Sequence, residues 1–318
     1  MQAYLDFERP IAELDGRVVE LRRLAAQDSA IQIDDEVARL ESRAQALLSE
    51  TYAKLTPWQK TLVARHQARP HFSDYAAQLF TEFTPLAGDR LYAEDPAVIS
   101  GLGRFRGRAV AIIGQEKGND TKSRLAHNFG MARPEGYRKA QRLFALAERF
   151  KLPLISFADT PGAYPGIGAE ERGQAEAIAR ATDACLMLGV PFVTVVVGEG
   201  MSGGALGIAV ANRVYMLEHA IYAVISPEGC ASILWRSADK AQDAAAAMHI
   251  TAQDLLELKV IDGIVREPVG GAHRAPAEAI SAVGETIVHA LAGLNGLAPA
   301  ELRQQRREKY LAIGRNLA

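Results

Sequence analysis

Apolar residues recur three and four apart in two runs near the N-terminus: Ile11, Leu14, Val18, Leu21, then Ile33, Val37, Leu40, Ala44, Leu47. That spacing predicts two amphipathic helices, broken by the polar Gln27-Asp28-Ser29 into an antiparallel hairpin with a coiled-coil-like seam. A two-helix hairpin has little core of its own, so a subunit-contact element is favoured over a plain packing arm. Pro57 starts a further short helix, and residues 73–83 form another. The pattern then changes. Segments 99–105 and 109–113 read as a strand pair, with Arg106-Gly107 as the tight turn. Helix 136–150 places Leu143, Ala147 and Phe150 on one face, and 152–158 is a strand. Helix 169–188 turns Ala175, Ile178, Ala179, Thr182 and Cys185 inward. Strand 192–197, a short helix, and strands 213–218 and 220–225 follow. Helices 228–236, 238–247 and 251–258, strand 263–265, and helices 276–292 and 299–313 complete the chain. Strands alternating with helices predict an α/β layered fold, and the strand pairs suggest repeated ββα units.

Residues 191–212 concentrate the candidate chemistry. The run from Phe192 to Val197 reads as a buried strand that breaks at Gly198 into a glycine-rich turn and a small-residue helix from Gly203-Gly204. A strand turning on glycines into a helix offers bare N–H groups and a positive dipole end to an anion. Three motifs share the same letters. Gly198 to Gly203 spells GxGxxG, the dinucleotide fingerprint of an oxidoreductase, with Glu218 about 20 residues on. Gly200-Met201-Ser202-Gly203-Gly204 spells GxSxG, the nucleophile elbow of a serine hydrolase, with His219, His249, His273 and His289 as candidate bases. Ser202-Gly203-Gly204-Ala205 also fits an oxyanion hole, which needs only N–H groups. The bland alternative is glycines that merely let helix and strand pack closely.

A second loop matches the first. Strand 152–158 ends in Asp159-Thr160-Pro161-Gly162-Ala163-Tyr164-Pro165-Gly166, before a helix opening with Glu170 and Glu171. Prolines and glycines at this density fix an irregular loop, and ligands of α/β sheets bind beyond the carboxyl ends of strands. Two such loops read as the walls of one pocket. From Gly118 to Leu143, Lys117 just before it and Lys122, Arg124, Arg133, Arg138 and Lys139 within it are interleaved with Gly130, Pro134 and Gly136, either as a solvated basic loop before a helix or as a site for phosphates or an anionic partner.

The bulk numbers narrow the classes. With 318 residues, 36 Lys and Arg against 38 Asp and Glu, and 48% hydrophobic residues, the chain reads as an ordinary soluble globular protein with ample core. Nucleic acid is not implied as a partner. The opening MQAYLDFERP has no apolar core of a signal peptide, and the longest apolar stretch carries Glu199 and glycines, so neither secretion nor a membrane span is expected. Cys185 and Cys230 are the only cysteines, which excludes a self-contained four-cysteine zinc site and suggests two reduced core residues in a cytoplasmic protein.

Taken together, several stretches resemble one family. They are residues 159–166, Gly198-Glu199-Gly200 with 202–206, residues 225–235, Asn128-Phe129-Gly130-Met131 with 134–140, and the opening Leu5 to Leu14. In this order they resemble the α subunits of bacterial acetyl-CoA carboxylase carboxyltransferases over nearly the whole chain. Met201 departs from the family's usual glycine, and Gln115-Glu116 stands where a histidine is often found. The resemblance implies a crotonase-like ββα spiral core over 96–270, a helical region for subunit contacts over 1–95, and C-terminal helices over 271–318. It implies carboxyl transfer to acetyl-CoA, giving malonyl-CoA, from biotin carried on a separate carrier protein, with no metal on this chain. It implies a β subunit bearing a zinc ribbon, in an α₂β₂ assembly. By the same analogy Gly203 and Gly204 would hold the developing oxyanion. Gly162, Ala163, Tyr164, Gly166, Gly200 and Ser202 would line the biotin side, and Ser226, Pro227, Glu228 and Gly229 would buttress it. Lys122, Arg124, Arg138 and Lys139 would meet CoA phosphates or a partner. An enoyl-CoA hydratase-like enzyme is the nearest rival, but it needs pocket carboxylates and only Glu199 offers one, read here as structural.

Overall fold

The computed structural model describes residues 3–27 and 33–315. Its strands are β1 (Phe80–Pro85), β2 (Val98–Phe105), β3 (Arg108–Gln115), β4 (Leu154–Thr160), β5 (Phe192–Met201), β6 (Arg213–Leu217), β7 (Ile221–Ala223) and β8 (Gly263–Val265). The helices are α1 (Arg9–Gln27), α2 (Asp34–Tyr52), α3 (Pro57–Ala64), α4 (Phe72–Leu79), α5 (Thr121–Ala126), α6 (Pro134–Phe150), α7 (Ile167–Glu171), α8 (Gln174–Met187), α9 (Ser202–Ala209), α10 (Pro227–Trp235), α11 (Ala241–Ala247), α12 (Ala252–Glu257), α13 (Pro276–Ala292) and α14 (Pro299–Ala312).

The seam between α1 and α2 forms as the apolar spacing predicts: Val18, Val37 and Leu40 are buried together, with Leu14, Leu21 and Ile33 against them. Of the expected break, Asp28 and Ser29 lie outside the described residues. At its other end the hairpin rests on α3, where Ile11, Leu48 and Tyr52 pack with Leu55 and Val63.

One sheet runs β1-β2-β3-β4-β5-β6-β8, antiparallel among the first three strands and parallel from β3 onward. The β2–β3 hairpin closes on Arg106 and Gly107, both at positive φ (47° and 78°), the backbone a two-residue turn needs. Strand β5 serves two neighbours: Val193 to Val196 pair with β6, whereas Glu199 to Met201 pair with β7. All residues of β4 and β5 are buried, as expected of parallel strands covered on both faces. On one side α6 buries Tyr137, Ala140, Leu143, Phe144 and Ala147, and α8 buries Ala177, Ala181 and Cys185. Arg306 on α14 is fully buried and donates to the carbonyls of Cys185 (2.8 Å) and Leu188 (2.7 Å), tying the last helix to the α8–β5 connection.

The structure corrects several elements. The helix expected over 73–83 ends at Leu79, and Phe80 enters β1, because that edge pairs with Arg104 and Phe105 of β2. The helix expected over 169–188 is two, separated at Gly173 with φ 80°. Glu171 therefore ends α7, and Glu176 occupies the first turn of α8. The inward face of α8 is shifted too: Ala175 and Ala179 are exposed, while Gln174, Ala177 and Ala181 are buried. Phe150, the last residue of α6, is exposed, and Cys230 is half-buried rather than a core residue.

Candidate functional site

Strand β5 does not break at Gly198. It runs on to Met201, and α9 starts at the next residue. Gly198 and Gly200 are strand residues whose missing side chains admit others: a Cβ at Gly198 would lie 2.3 Å from the Asp159 carboxylate, and one at Gly200 2.8 Å from the Tyr222 ring. The first two glycines of the GxGxxG spacing thus serve packing within the sheet and form no phosphate-binding turn. The change of direction is made by Ser202 alone, at φ 53°. Such a backbone is costly for a residue with a Cβ and persists only where the surroundings enforce it.

Helix α9 opens without a side-chain cap. The N–H groups of its first turn have no intrahelical acceptors, so Gly203 and Gly204 present bare donors. Gly204 is pressed against the second loop: a Cβ there would meet Gly162 C at 2.6 Å and Ala163 N at 2.7 Å. The loop is organised around this approach. Gly162 sits at φ 135°, a conformation that suits glycine, and donates to Thr160 Oγ1 at 3.1 Å. Tyr164 N–H is spent on Ala132 O at 2.9 Å, whereas Ala163 N–H has no acceptor among the described residues. The Tyr164 ring lies on Gly166 and under the Arg133 guanidinium, 4.9 Å from ring centre to Cζ. The structure therefore brings Gly162, Ala163, Tyr164, Gly166, Gly203 and Gly204 together and adds a third bare donor, Ala163 N–H.

Ser202 is exposed and edges an apolar cavity of about 390 Å³ with Leu206, Tyr222, Val224 and His249. No hydrogen bond joins Ser202 to a histidine among the described residues, so the GxSxG spacing builds no nucleophile–base pair. Ser226 caps α10 by accepting from Gly229 N at 3.1 Å. Glu228, in the first turn of that helix, is held by Arg65 at 2.5 Å.

A buried charge network supports both loops. Arg65 also meets Glu199 at 2.6 Å, and Lys117 Nζ lies 2.7 Å from Glu199 and 2.8 Å from Asp159. His71 closes the line on Asp159 at 3.3 Å. Burial alone would raise the Asp159 carboxyl; the Lys117 ammonium, with His71, outweighs it and holds the group well below the usual carboxylate range. Glu199 is held down against burial by Lys117 and Arg65 in the same way. These carboxylates stay ionised and paired, which makes Glu199 a structural acid and a poor proton donor. The sequence reading missed Arg65 altogether, and it took Lys117 for a basic-loop residue and Asp159 for a loop residue, without pairing them. The available signal was charge inside runs that otherwise read as buried.

The basic stretch divides. Lys122 is exposed on α5, and Arg124 is half-buried at a cavity of about 180 Å³ that Lys117, Pro161 and Glu199 also line. Arg138 and Lys139 are committed inward, Arg138 to Asp89 (3.6 Å) and Glu135 (3.7 Å), Lys139 to Glu94 and the Asp95 carbonyl (2.8 Å). Among the described residues no group of three or more His, Cys, Asp or Glu is placed to hold a metal ion, and no helix is long and apolar enough to cross a membrane.

The chain is similar to known proteins over nearly its whole length. The family described as acetyl co-enzyme A carboxylase carboxyltransferase-like matches residues 4–314. Acetyl-coenzyme A carboxylase carboxyl transferase subunit alpha of Methylobacterium nodulans is 66% identical over 317 residues, covering 100% of both chains. The protein of the same name from Azorhizobium caulinodans is 65% identical over the same length, again with 100% of both covered. Among solved structures, transcarboxylase 12S superposes with a TM-score of 0.58 at 20% identity, over 71% of this chain and 42% of that one. The geranyl-CoA carboxylase β subunit of P. aeruginosa gives 0.54 at 18%, over 77% and 47%. A Pseudomonas malonate decarboxylase hetero-tetramer in complex with coenzyme A gives 0.56 at 19%, over 70% and 90%. The fold shared with these enzymes is the expected crotonase-like one. With a family match that runs nearly end to end and relatives about two thirds identical over the whole chain, the chain belongs to the acetyl-CoA carboxylase carboxyltransferase family, among its α subunits.

Proposed function

We propose that this chain is the α half of a cytoplasmic carboxyltransferase that moves a carboxyl group from biotin on a carrier protein to acetyl-CoA, giving malonyl-CoA, the entry step of fatty-acid synthesis. The observation that carries the reading is the uncapped start of α9 held against Gly162 and Ala163, which sets bare N–H donors side by side. Biotin held there would supply a ureido group that carries the carboxyl to be given up. The residues of this chain suit it: Gly203 and Gly204 hold negative charge on an oxygen, and Ala163 N–H is a third donor at hand. Removing one such donor typically costs ~10²–10³ in rate. The proton lost from the acetyl-CoA methyl would pass to the ureido group that has given up its carboxyl, so no general acid or base side chain on this chain is required. Gly162, Ala163, Tyr164 and Gly166 form the biotin-side wall with Ser202 at its edge, while Gly200 supports it from within β5; Ser226, Pro227, Glu228 and Gly229 buttress it, Glu228 through Arg65. Lys122 and Arg124 remain available to CoA phosphates or a partner, more so than Arg138 and Lys139.

Residues 96–270 carry the chemistry, and the α1–α2 hairpin within 1–95 serves subunit contacts. The partner is a β subunit with its own zinc ribbon, in an α₂β₂ assembly. The test is malonyl-CoA-dependent carboxylation of a free biotin derivative by this chain, by a β subunit, and by both. Activity only in the mixture is expected. No activity in a mixture that demonstrably co-assembles defeats the reading.

A further inference from the structure

One buried polar side chain near the site has no part in the chemistry above. Gln115 is the last residue of β3, follows the apolar run Val110 to Ile113, and is fully buried. Its carboxamide reaches across the sheet to both loops. Oε1 accepts from Asp159 N–H at 3.0 Å, where the β4 loop begins, and Nε2 donates to the Gly204 carbonyl at 2.7 Å, in the first turn of α9. The orientation of the amide is unambiguous, because Asp159 N–H can only donate and Gly204 C=O can only accept. The Tyr137 hydroxyl approaches the same carbonyl at 3.5 Å, a weaker contact.

We infer that Gln115 is a positioning residue for carboxyl transfer, a two-ended clamp that fixes the start of α9 against the β4 loop. The inference rests on the reading of Gly203 and Gly204 as oxyanion donors. Each end of the clamp addresses one wall: Asp159 lies three residues before Gly162, and Gly204 carries both the clamped carbonyl and one of the donor N–H groups. Lys117, His71 and Glu199 hold the Asp159 side chain but make no bond to Gly204. Among the side chains of the described residues, Gln115 is thus the short polar link from β4 to α9. A clamp of this kind touches no substrate. It sets where the donors point, so its loss acts on turnover and leaves substrate affinity nearly untouched.

Two variants test it in the assembled α–β enzyme. Gln115→Met keeps the length and removes both hydrogen bonds. The expected result is a fall in kcat of ~10–100-fold, the scale of a misplacement near 1 Å, with KM for each substrate within about twofold. A kcat within about twofold of wild type overturns the clamp. A loss that tracks incomplete assembly also overturns it, since the role is then structural. Gln115→Glu keeps the acceptor and loses the donor until the carboxyl is protonated. The ratio of its kcat to that of wild type should therefore rise as pH falls, the surrounding Lys117, Asp159, Glu199, His71, Glu116 and Tyr137 being common to both proteins. A ratio independent of pH overturns the proposal. Wild type in the same mixture separates the two levels: no transfer by wild type defeats the functional reading, whereas equal kcat for wild type and Gln115→Met defeats the clamp alone.

Discussion

Gly204→Ala adds one methyl where α9 presses on the backbone of the β4 loop. The new Cβ would lie 2.6 Å from Gly162 C, 2.7 Å from Ala163 N and 2.8 Å from Gly162 Cα, against 3.4 Å for ordinary contact. The shortest gap is thus about 0.8 Å too small (3.4 minus 2.6), and every neighbour is backbone that cannot rotate away. The two loops must part by roughly that amount. Overpacking of this kind costs ~1–3 kcal/mol, offset by up to about 1 kcal/mol from the better helix propensity of alanine. The catalytic effect should be larger, because a misplacement near 1 Å costs on the order of 10² in rate. Gly203→Ala is the contrast: its Cβ would lie 3.1 Å from Ile178 Cγ2 and 3.6 Å from Cδ1, a half-buried side chain that has to give by only a few tenths of an ångström. Both variants keep their N–H groups. The assay is the reverse reaction with a β subunit present, alongside a thermal melt of each assembled variant. Gly204→Ala should lose about a hundredfold in kcat with a small shift in melting, and Gly203→Ala should stay within a few-fold of wild type. If Gly204→Ala turns over normally, or if both lose alike, the close approach of α9 to Gly162 is not what sets the rate. The same clash makes Gly204→Pro an impure test of the lost N–H, since it adds atoms at the same point.

Two further outcomes follow from buried charge. Lys117→Met strands Asp159 and Glu199 without their shared ammonium, so unfolding in urea should show a loss of ~3–5 kcal/mol, the cost of breaking a buried pair from one side; a loss below about 1 kcal/mol would contradict the network. His273 is held near 3, below its ordinary 6.5, by burial first and then by His66, stacked at 4.0 Å, with Arg69 and Arg274. Between those values the unfolded chain binds a proton that the folded one refuses, so stability is full above about 6.5 and falls as pH drops towards 3. The slope from this group is about 1.4 kcal/mol per pH unit, and urea titrations from pH 7 to pH 4 on wild type and His273→Gln should differ by it; identical slopes would refute the assignment.

Much of the local structure is legible in the chain. The α1–α2 seam, the Arg106-Gly107 turn, the Thr56-capped start of α3 at Pro57, strand 263–265 and helix 276–292 all follow from spacing, caps and turn chemistry that act over a few residues. The loop at 159–166 and its meeting with Gly204 were also readable, because each lies where a buried strand of a parallel sheet ends. The course of β5 was not. Gly198 and Gly200 look like a turn in one dimension, but the strand continues because Asp159 and Tyr222, distant in sequence, occupy the space their side chains would take. The bare N–H of Ala163 was equally hidden, since it is left over only when Ala132 takes Tyr164 and Thr160 takes Gly162.

The charged residues draw the line most clearly. Their number and spacing belong to the chain, yet Lys117 and Lys139 point inward to carboxylates while Lys122 stays in solvent. Gln115 stands at the end of an apolar strand, and only the packing of β3 beside β4 and α9 gives its amide two partners. The sequence determined most of the elements, the glycines and the family, because propensity, turn geometry and motif are local, whereas the start of β1 and the length of β5 were set by their partners in the sheet. The tertiary structure alone decided which N–H groups remain free and which charges are paired, because hydrogen bonds and ion pairs across the sheet depend on residues tens of positions apart.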